Sequence, residues 1–214
     1  MKTILNLLLL LLVYSAYSQT PDTITLYHKY YSTTFSISKH YPVVVKYWLT
    51  KDMLSCQERV QRTNKFKADP LLPKETSLDA DYKGSGYDKG HNMDAYDNSC
   101  DVQGMDESFY YSNMTPQTPR LNRGQWKALE EYTRNIALQF DSVLVWCGSV
   151  SISDEHIGKI SVPDYCWKII FVKKTGNIEA YSFLNDKELS ISFDKCKVSL
   201  DSVSHLSGFV YHQN

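Results

Sequence analysis

The sequence has no excess of charge of either sign. Its 214 residues hold 23 Lys and Arg against 24 Asp and Glu, a formal charge of -1. This excludes a broadly cationic surface and an acidic tail. The five cysteines, Cys56, Cys100, Cys147, Cys166 and Cys196, include no C-x-x-C pair, which argues against a zinc knuckle or a thioredoxin-type dithiol. Repeats and low-complexity tracts are absent, and no linker is long enough to divide the chain. With 43% apolar and 22% charged residues, the composition is globular, not disordered, collagen-like or coiled-coil. A domain of this length buries about 70% of its extended surface, so a real core is affordable.

Long hydrophobic runs are also missing, except at the start. Lys2 precedes an apolar run from Ile4 to Val13 broken only by Asn6. The run is shorter than the roughly 20 residues that span a bilayer. The small residues Ala16 and Ser18 follow. This is the pattern of a secretory signal peptide, with cleavage expected after Ser18. The sequence therefore predicts a signal peptide over 1–18 and a domain over 19–214. It also predicts a secreted or periplasmic location, with no membrane association after removal of the signal. Export permits disulfides. Five cysteines leave at least one unpaired, and the spacing does not choose the pairs.

Strand signals dominate the remainder. Thr34–Ser38 alternates and Pro42–Leu49 is β-branched and aromatic. Ser142–Trp146, Tyr165–Lys173 and Ile178–Leu184 read as further strands, with a hairpin turn at Thr175-Gly176-Asn177. Phe109-Tyr110-Tyr111 is a short β-prone run. Residues 51–87 read as a long loop with local turns. Leu121–Phe140 carries a helical period, and Val198–Val210 allows a last short helix. The class is α+β.

On the helix, Trp126, Leu129, Thr133, Ile136, Ala137 and Phe140 share one side at 100° per residue. Arg123, Lys127, Glu130 and Arg134 share an adjacent side. Glu130 and Arg134 are spaced i, i+4, so they can pair. Upstream, Tyr87-Asp88-Lys89-Gly90-His91 sets an imidazole beside a glycine, a cation and a carboxylate. His91 suits general-base work near neutral pH. Lys89 suits a phosphate oxygen, and Gly90 permits close backbone approach. His28, His40, His156, His205 and His212 have no comparable neighbours and read as surface or structural residues.

These stretches form one ordered pattern. It runs Asp81–His91, then Met105–Gln117, then Leu121-Asn122, Trp126, Leu129-Glu130 and Arg134. The pattern resembles the DNA/RNA non-specific endonuclease family, in its endonuclease G-like branch. Arg62 with Phe66 and Asp69-Pro70 extends the likeness upstream, and Val162-Pro163 with Trp167-Lys168 extends it downstream. The resemblance implies a central, mostly antiparallel β-sheet flanked by helices, with an embedded ββα-metal (His-Me finger) site. It implies His91 as general base and Asn122 as the one protein ligand of Mg²⁺, or of Mn²⁺ in its place. Glu130 would hydrogen-bond water around the metal, and Arg134 would bind phosphate. Asn113 would orient the site. Lys89 and Arg62 would add phosphate contacts. The implied substrates are DNA and RNA without sequence preference, and a homodimer is the implied assembly.

Two stretches depart from the family pattern. Lys89 stands where arginine is usual and loses the bidentate fork. Asn92-Met93-Asp94-Ala95 replaces small apolar residues, and nothing in the sequence accounts for Asp94. Asn113-Met114-Thr115 also fits a glycosylation sequon, read as coincidence. The competing reading is a catalytically weakened relative that binds nucleic acid or a protein. A β-rich binding module without a nucleic-acid role leaves the ordered pattern to chance.

Overall fold

The computed structural model describes residues 22–188 and 191–211. The expected signal peptide, residues 1–18, and His212 lie outside the described residues. The chain opens with strands β1 (Thr23–Tyr27), β2 (Tyr31–Ser36) and β3 (Tyr41–Thr50). One-turn helices α1 (Lys51–Leu54) and α2 (Asp79–Tyr82) punctuate the long loop. Then come β4 (Asp88–His91), α3 (Val102–Ser108), β5 (Met114–Gln117) and α4 (Lys127–Phe140). The last third holds β6 (Ser142–Val150), β7 (His156–Ile157), β8 (Ile160–Ser161), β9 (Tyr165–Val172) and β10 (Asn177–Leu184). It ends with β11 (Lys197–Val198) and α5 (Leu200–Ser207).

Among the described residues the main sheet is seven-stranded, in the order β1-β2-β3-β6-β9-β10-β11. Its neighbours pair antiparallel. The β9–β10 turn is where Gly176 predicted it, with φ +73. Alternation along the strands separates two layers. Val143, Val145 and Cys147 of β6 join Ile170 and Val172 of β9 beneath Leu129, Ile136 and Ala137 of α4. Leu144, Trp146, Trp167 and Ile169 face the other way, toward Val203 of α5. Each such aliphatic side chain contributes about 1.5–3 kcal/mol on burial. No helix among the described residues is long and apolar enough to cross a membrane.

Three local readings change. The Phe109–Tyr111 run is not a strand. It closes α3 and enters a 3-10 turn over Tyr111–Asn113, with a single bridge between Lys67 and Tyr110. The cause is upstream, where the Asp101 carboxylate accepts from the Gly104 N–H at 2.7 Å and starts a helix. Strand β2 stops at Ser36, before the alternation does, and the chain turns through His40 at φ 56. The helical segment opens with π-type turns over Leu121–Trp126 before α4 proper.

Candidate active site

Strands β4 and β5 pair antiparallel, and the segment Leu121–Phe140 follows them directly. Gly90 faces Thr115 in the ladder, and a Cβ there would collide with the buried side chain of Gln117. Glycine is thus required at this position by the packing of Gln117.

His91 ends β4 and is 6% exposed. Its carbonyl accepts from the Trp126 Nε1–H at 2.9 Å, tying the strand to the helix. The ring packs edge-on to Phe109, with centroids 5.0 Å apart, and tilts against Phe66. Its Nε2 is buried without a hydrogen-bond partner among the described residues. Burial, then the nearby Arg62 charge, lowers its pKa to about 4, with Asp94 opposing. The imidazole is neutral at neutral pH, the form that accepts a proton.

Asn113 lies behind this residue, fully buried. Its Oδ1 accepts from the Met93 N–H, and its Nδ2 donates to the carbonyls of Met93 and Ser108, all at 2.9 Å. Its backbone carbonyl accepts from the Asn92 N–H at 3.0 Å. Asn113 thus clamps the turn that leaves His91 and is not among the cleft-lining residues. A side chain so enclosed is no glycan acceptor while the chain is folded.

The other expected residues meet in one cleft of about 780 Å³, lined by Arg62, Lys89, His91, Asn122, Glu130 and Arg134, with Asp94 among them. The Asn122 Nδ2 donates to Asp88 Oδ2 at 2.9 Å. Asp88 also takes a two-pronged grip from Arg123, at 2.8 and 2.6 Å. These contacts orient the Asn122 amide, with Oδ1 the end not engaged by Asp88. Glu130 is partly buried, and burial followed by the Asp94 charge raises its pKa well above the carboxylate range. Lys89 reaches Asp79 Oδ1 at 2.7 Å. Its ammonium lies 4.6 Å from the Phe66 ring centre and 5.3 Å from that of Tyr111, an aromatic cradle suited to a compact cation. Arg62 lies over Phe109 and donates to Asn64 Oδ1 at 2.8 Å.

The Glu130–Arg134 pair that the spacing allows does not form as an ion pair. Arg134 instead donates Nη1 to Asp94 Oδ2 at 2.7 Å and to Asp97 Oδ1 at 3.2 Å. Two carboxylates from the turn after β4 outcompete one on the helix face. The i, i+4 pair actually made is Lys127–Glu131, at 3.9 Å. Asp97, 2% exposed, carried no signal in the sequence, and burial with the neighbouring Asp94 pushes its carboxyl up to about 7. Lys168 was also missed as a site neighbour. It is fully buried beneath α4, with Nζ 4.3 Å from the Trp126 ring centre. Its charge opposes the upward shifts of Glu130 and Asp97.

The cysteines pair once among the described residues, Cys56 with Cys100, and Cys147, Cys166 and Cys196 are free and buried. The bridge joins the loop carrying Arg59 and Arg62 to the segment after Asp97. Of the remaining described histidines, His28 lies 2.9 Å from the buried Asp69, and His40 and His156 also meet carboxylates.

A divalent cation fits this donor set only if it keeps most of its water. No group of three or more His, Cys, Asp and Glu among the described residues is placed to cage a metal. One amide oxygen on Asn122, with Glu130 nearby, suits a hard, hydrated ion.

The chain is similar to known nucleases. The family model described as DNA/RNA non-specific endonuclease matches residues 12–214. A nuclease of Nostoc sp. is 30% identical over 209 residues, covering 91% of this chain and 75% of that protein. Nuclease C1 of Cunninghamella echinulata is 34% identical over 182 residues, covering 76% and 72%. The mitochondrial nuclease EXOG of Xenopus laevis is 33% identical, covering 69% of this chain but 47% of that protein, so the match spans about half of that relative. The solved EndoG/EndoGI complex superposes with TM-score 0.80 at 26% identity, over 87% of this chain and 84% of that one. On the match of residues 12–214, the chain belongs to the DNA/RNA non-specific endonuclease family.

Proposed function

We propose that the chain is an exported, divalent-cation-dependent nuclease that hydrolyses phosphodiester bonds of DNA and RNA without sequence preference. The observation that carries this is His91. It is a buried neutral imidazole with an unpartnered Nε2, in a cleft also lined by Asn122, Glu130, Arg62, Lys89 and Arg134. His91 takes the proton of the attacking water, help worth roughly 10²–10⁴-fold. Asn122 would hold Mg²⁺ or Mn²⁺ through Oδ1, kept in place by Asp88. Bound there, the cation supplies charge stabilisation to the phosphate and the leaving oxygen. Glu130 accepts hydrogen bonds from water on the same wall. Arg134, Arg62 and Lys89 bring positive charge to the phosphate. Contacts of this kind carry no sequence information, which is the physical basis for non-specific cleavage. The mature domain in this reading is 19–214.

Digestion of plasmid and RNA tests the proposal. Degradation with Mg²⁺, loss with chelator, and loss in a folded His91→Ala variant are the expected results. Equal activity in wild type and His91→Ala would remove His91 from the mechanism. Unchanged metal affinity and cleavage in Asn122→Ala would remove the assigned ligand. The Asp94–Arg134 ion pair favours one second reading, a relative that binds polynucleotide without cutting it. Binding with no cleavage at any Mg²⁺ or Mn²⁺ concentration would establish that reading instead.

A further inference from the structure

Asp94 is the position the family pattern leaves unexplained. It lies three residues after His91, on the turn clamped by Asn113, and lines the cleft. Its side chain and that of Arg134 are each 15% exposed. One carboxylate oxygen accepts from Arg134 at 2.7 Å, and the other lies 4.0 Å from Arg62 Nη1. A single anion thus faces the two guanidinium groups that the nuclease reading assigns to phosphate, one to each oxygen. A phosphodiester offers the same arrangement, two anionic oxygens on one centre. Asp97 holds Arg134 independently at 3.2 Å from a fully buried position. Arg134 therefore keeps an anchor if Asp94 lets go. Crowding favours release, since Asp94, Asp97 and Glu130 all surround Arg134, and the Asp94 charge disfavours ionisation of the other two.

We propose that Asp94 is a built-in competitor for the substrate phosphate: its carboxylate occupies Arg134 and draws on Arg62 until a phosphodiester replaces it. The residue thereby sets substrate affinity. Binding exchanges one anion for another on the same cations, so part of the attraction between Arg134 and substrate is cancelled in advance. Removing the competitor frees those cations. The inference rests on the nuclease reading, because a chain that never meets polynucleotide has nothing to compete with.

The test is binding without turnover. A short fluorescein-labelled single-stranded oligonucleotide is titrated in chelator with wild type, Asp94→Asn and Glu131→Gln, at several salt concentrations. Glu131→Gln removes a carboxylate from the same cleft whose ion pair among the described residues is with Lys127, and so measures the general effect of lost negative charge. Asp94→Asn should bind about tenfold tighter, or 1.4 kcal/mol. Its log K against log salt slope should steepen by about 0.7 for each arginine freed. Glu131→Gln should change affinity less than about twofold and leave the slope alone. In steady-state cleavage, KM should fall more than kcat changes. Asp94→Ser carries the same expectation if Asp94→Asn is unstable. Asp94→Asn binding no tighter than wild type, or no tighter than Glu131→Gln, would overturn the competitor role while leaving the nuclease reading intact. No binding or cleavage by wild type and Asp94→Asn alike would overturn both.

Discussion

Asn113 offers the most severe test of how the site is held. Its amide makes three buried hydrogen bonds of 2.9 Å, to the Met93 N–H and to the carbonyls of Met93 and Ser108. Asn113→Ala leaves one donor and two acceptors without this partner, at 0% exposure. An orphaned buried group costs about 1–3 kcal/mol, and carbonyls tolerate loss better than N–H groups, so the sum is about 4 kcal/mol. That is a large share of the roughly 5–15 kcal/mol by which a domain is stable. Asn113→Asp separates bonding from volume. It keeps the acceptor for Met93 N–H but turns the donor toward two carbonyls into an acceptor. It should therefore be at least as damaging, despite its shape. Urea unfolding should show a lower midpoint with an unchanged m-value. Because the clamp fixes the turn after His91, which also carries Asp94 into the cleft wall, residual folded enzyme should lose kcat and show a shifted KM. A loss below about 1 kcal/mol for Asn113→Ala, or a neutral Asn113→Asp, would refute the argument.

His91 should stay neutral down to about pH 4, so its ring signals in NMR should not titrate between pH 8 and 5; a midpoint near the ordinary value of 6.5 would contradict its buried environment. The folded pKa lies below the unfolded one. The residue therefore favours the folded state above pH 6.5, and that contribution is lost as pH falls toward 4. Wild type should lose about 3 kcal/mol more than His91→Gln over that window, by the 1.36 kcal/mol per unit relation. The Cys56–Cys100 bridge has a sequence separation of 44. Cys56→Ser should cost about 4 kcal/mol in the chain-entropy model, read by thermal unfolding. Asp97→Asn weakens the deep anchor of Arg134, so cleavage should fall while oligonucleotide binding in chelator falls less; unchanged cleavage would show that Arg134 needs no such anchor.

The long periodic segments were legible because a single physical signal dominates each. The β-branched runs at Pro42–Leu49 and Tyr165–Lys173 became β3 and β9, and the apolar stripe from Trp126 to Phe140 is the buried side of α4. Six of the expected residues, His91, Asn122, Glu130, Arg134, Lys89 and Arg62, line one cleft; the ordered pattern and its upstream extension marked them, and the fold brought them together. Helix α3 was missed because its signal is one cap, Asp101, ahead of a short and weakly apolar segment. Helical spacing allows a Glu130–Arg134 pair but describes only the helix, whereas Arg134 answers to carboxylates from another element.

By itself, the sequence determined the family, the α+β class, the helix face and the chemistry available to the cleft, since all of these follow from residue type and local order. The tertiary structure alone decided which charges meet. It drew Arg134 to Asp94 and Asp97, sealed Asn113 behind the imidazole, buried Lys168 against Trp126 and closed Cys56 on Cys100. Each depends on distances between segments far apart in the chain, and burial strengthens or reverses what the same groups would do in water. The small net charge of -1 thus conceals a cleft whose arginines are already occupied.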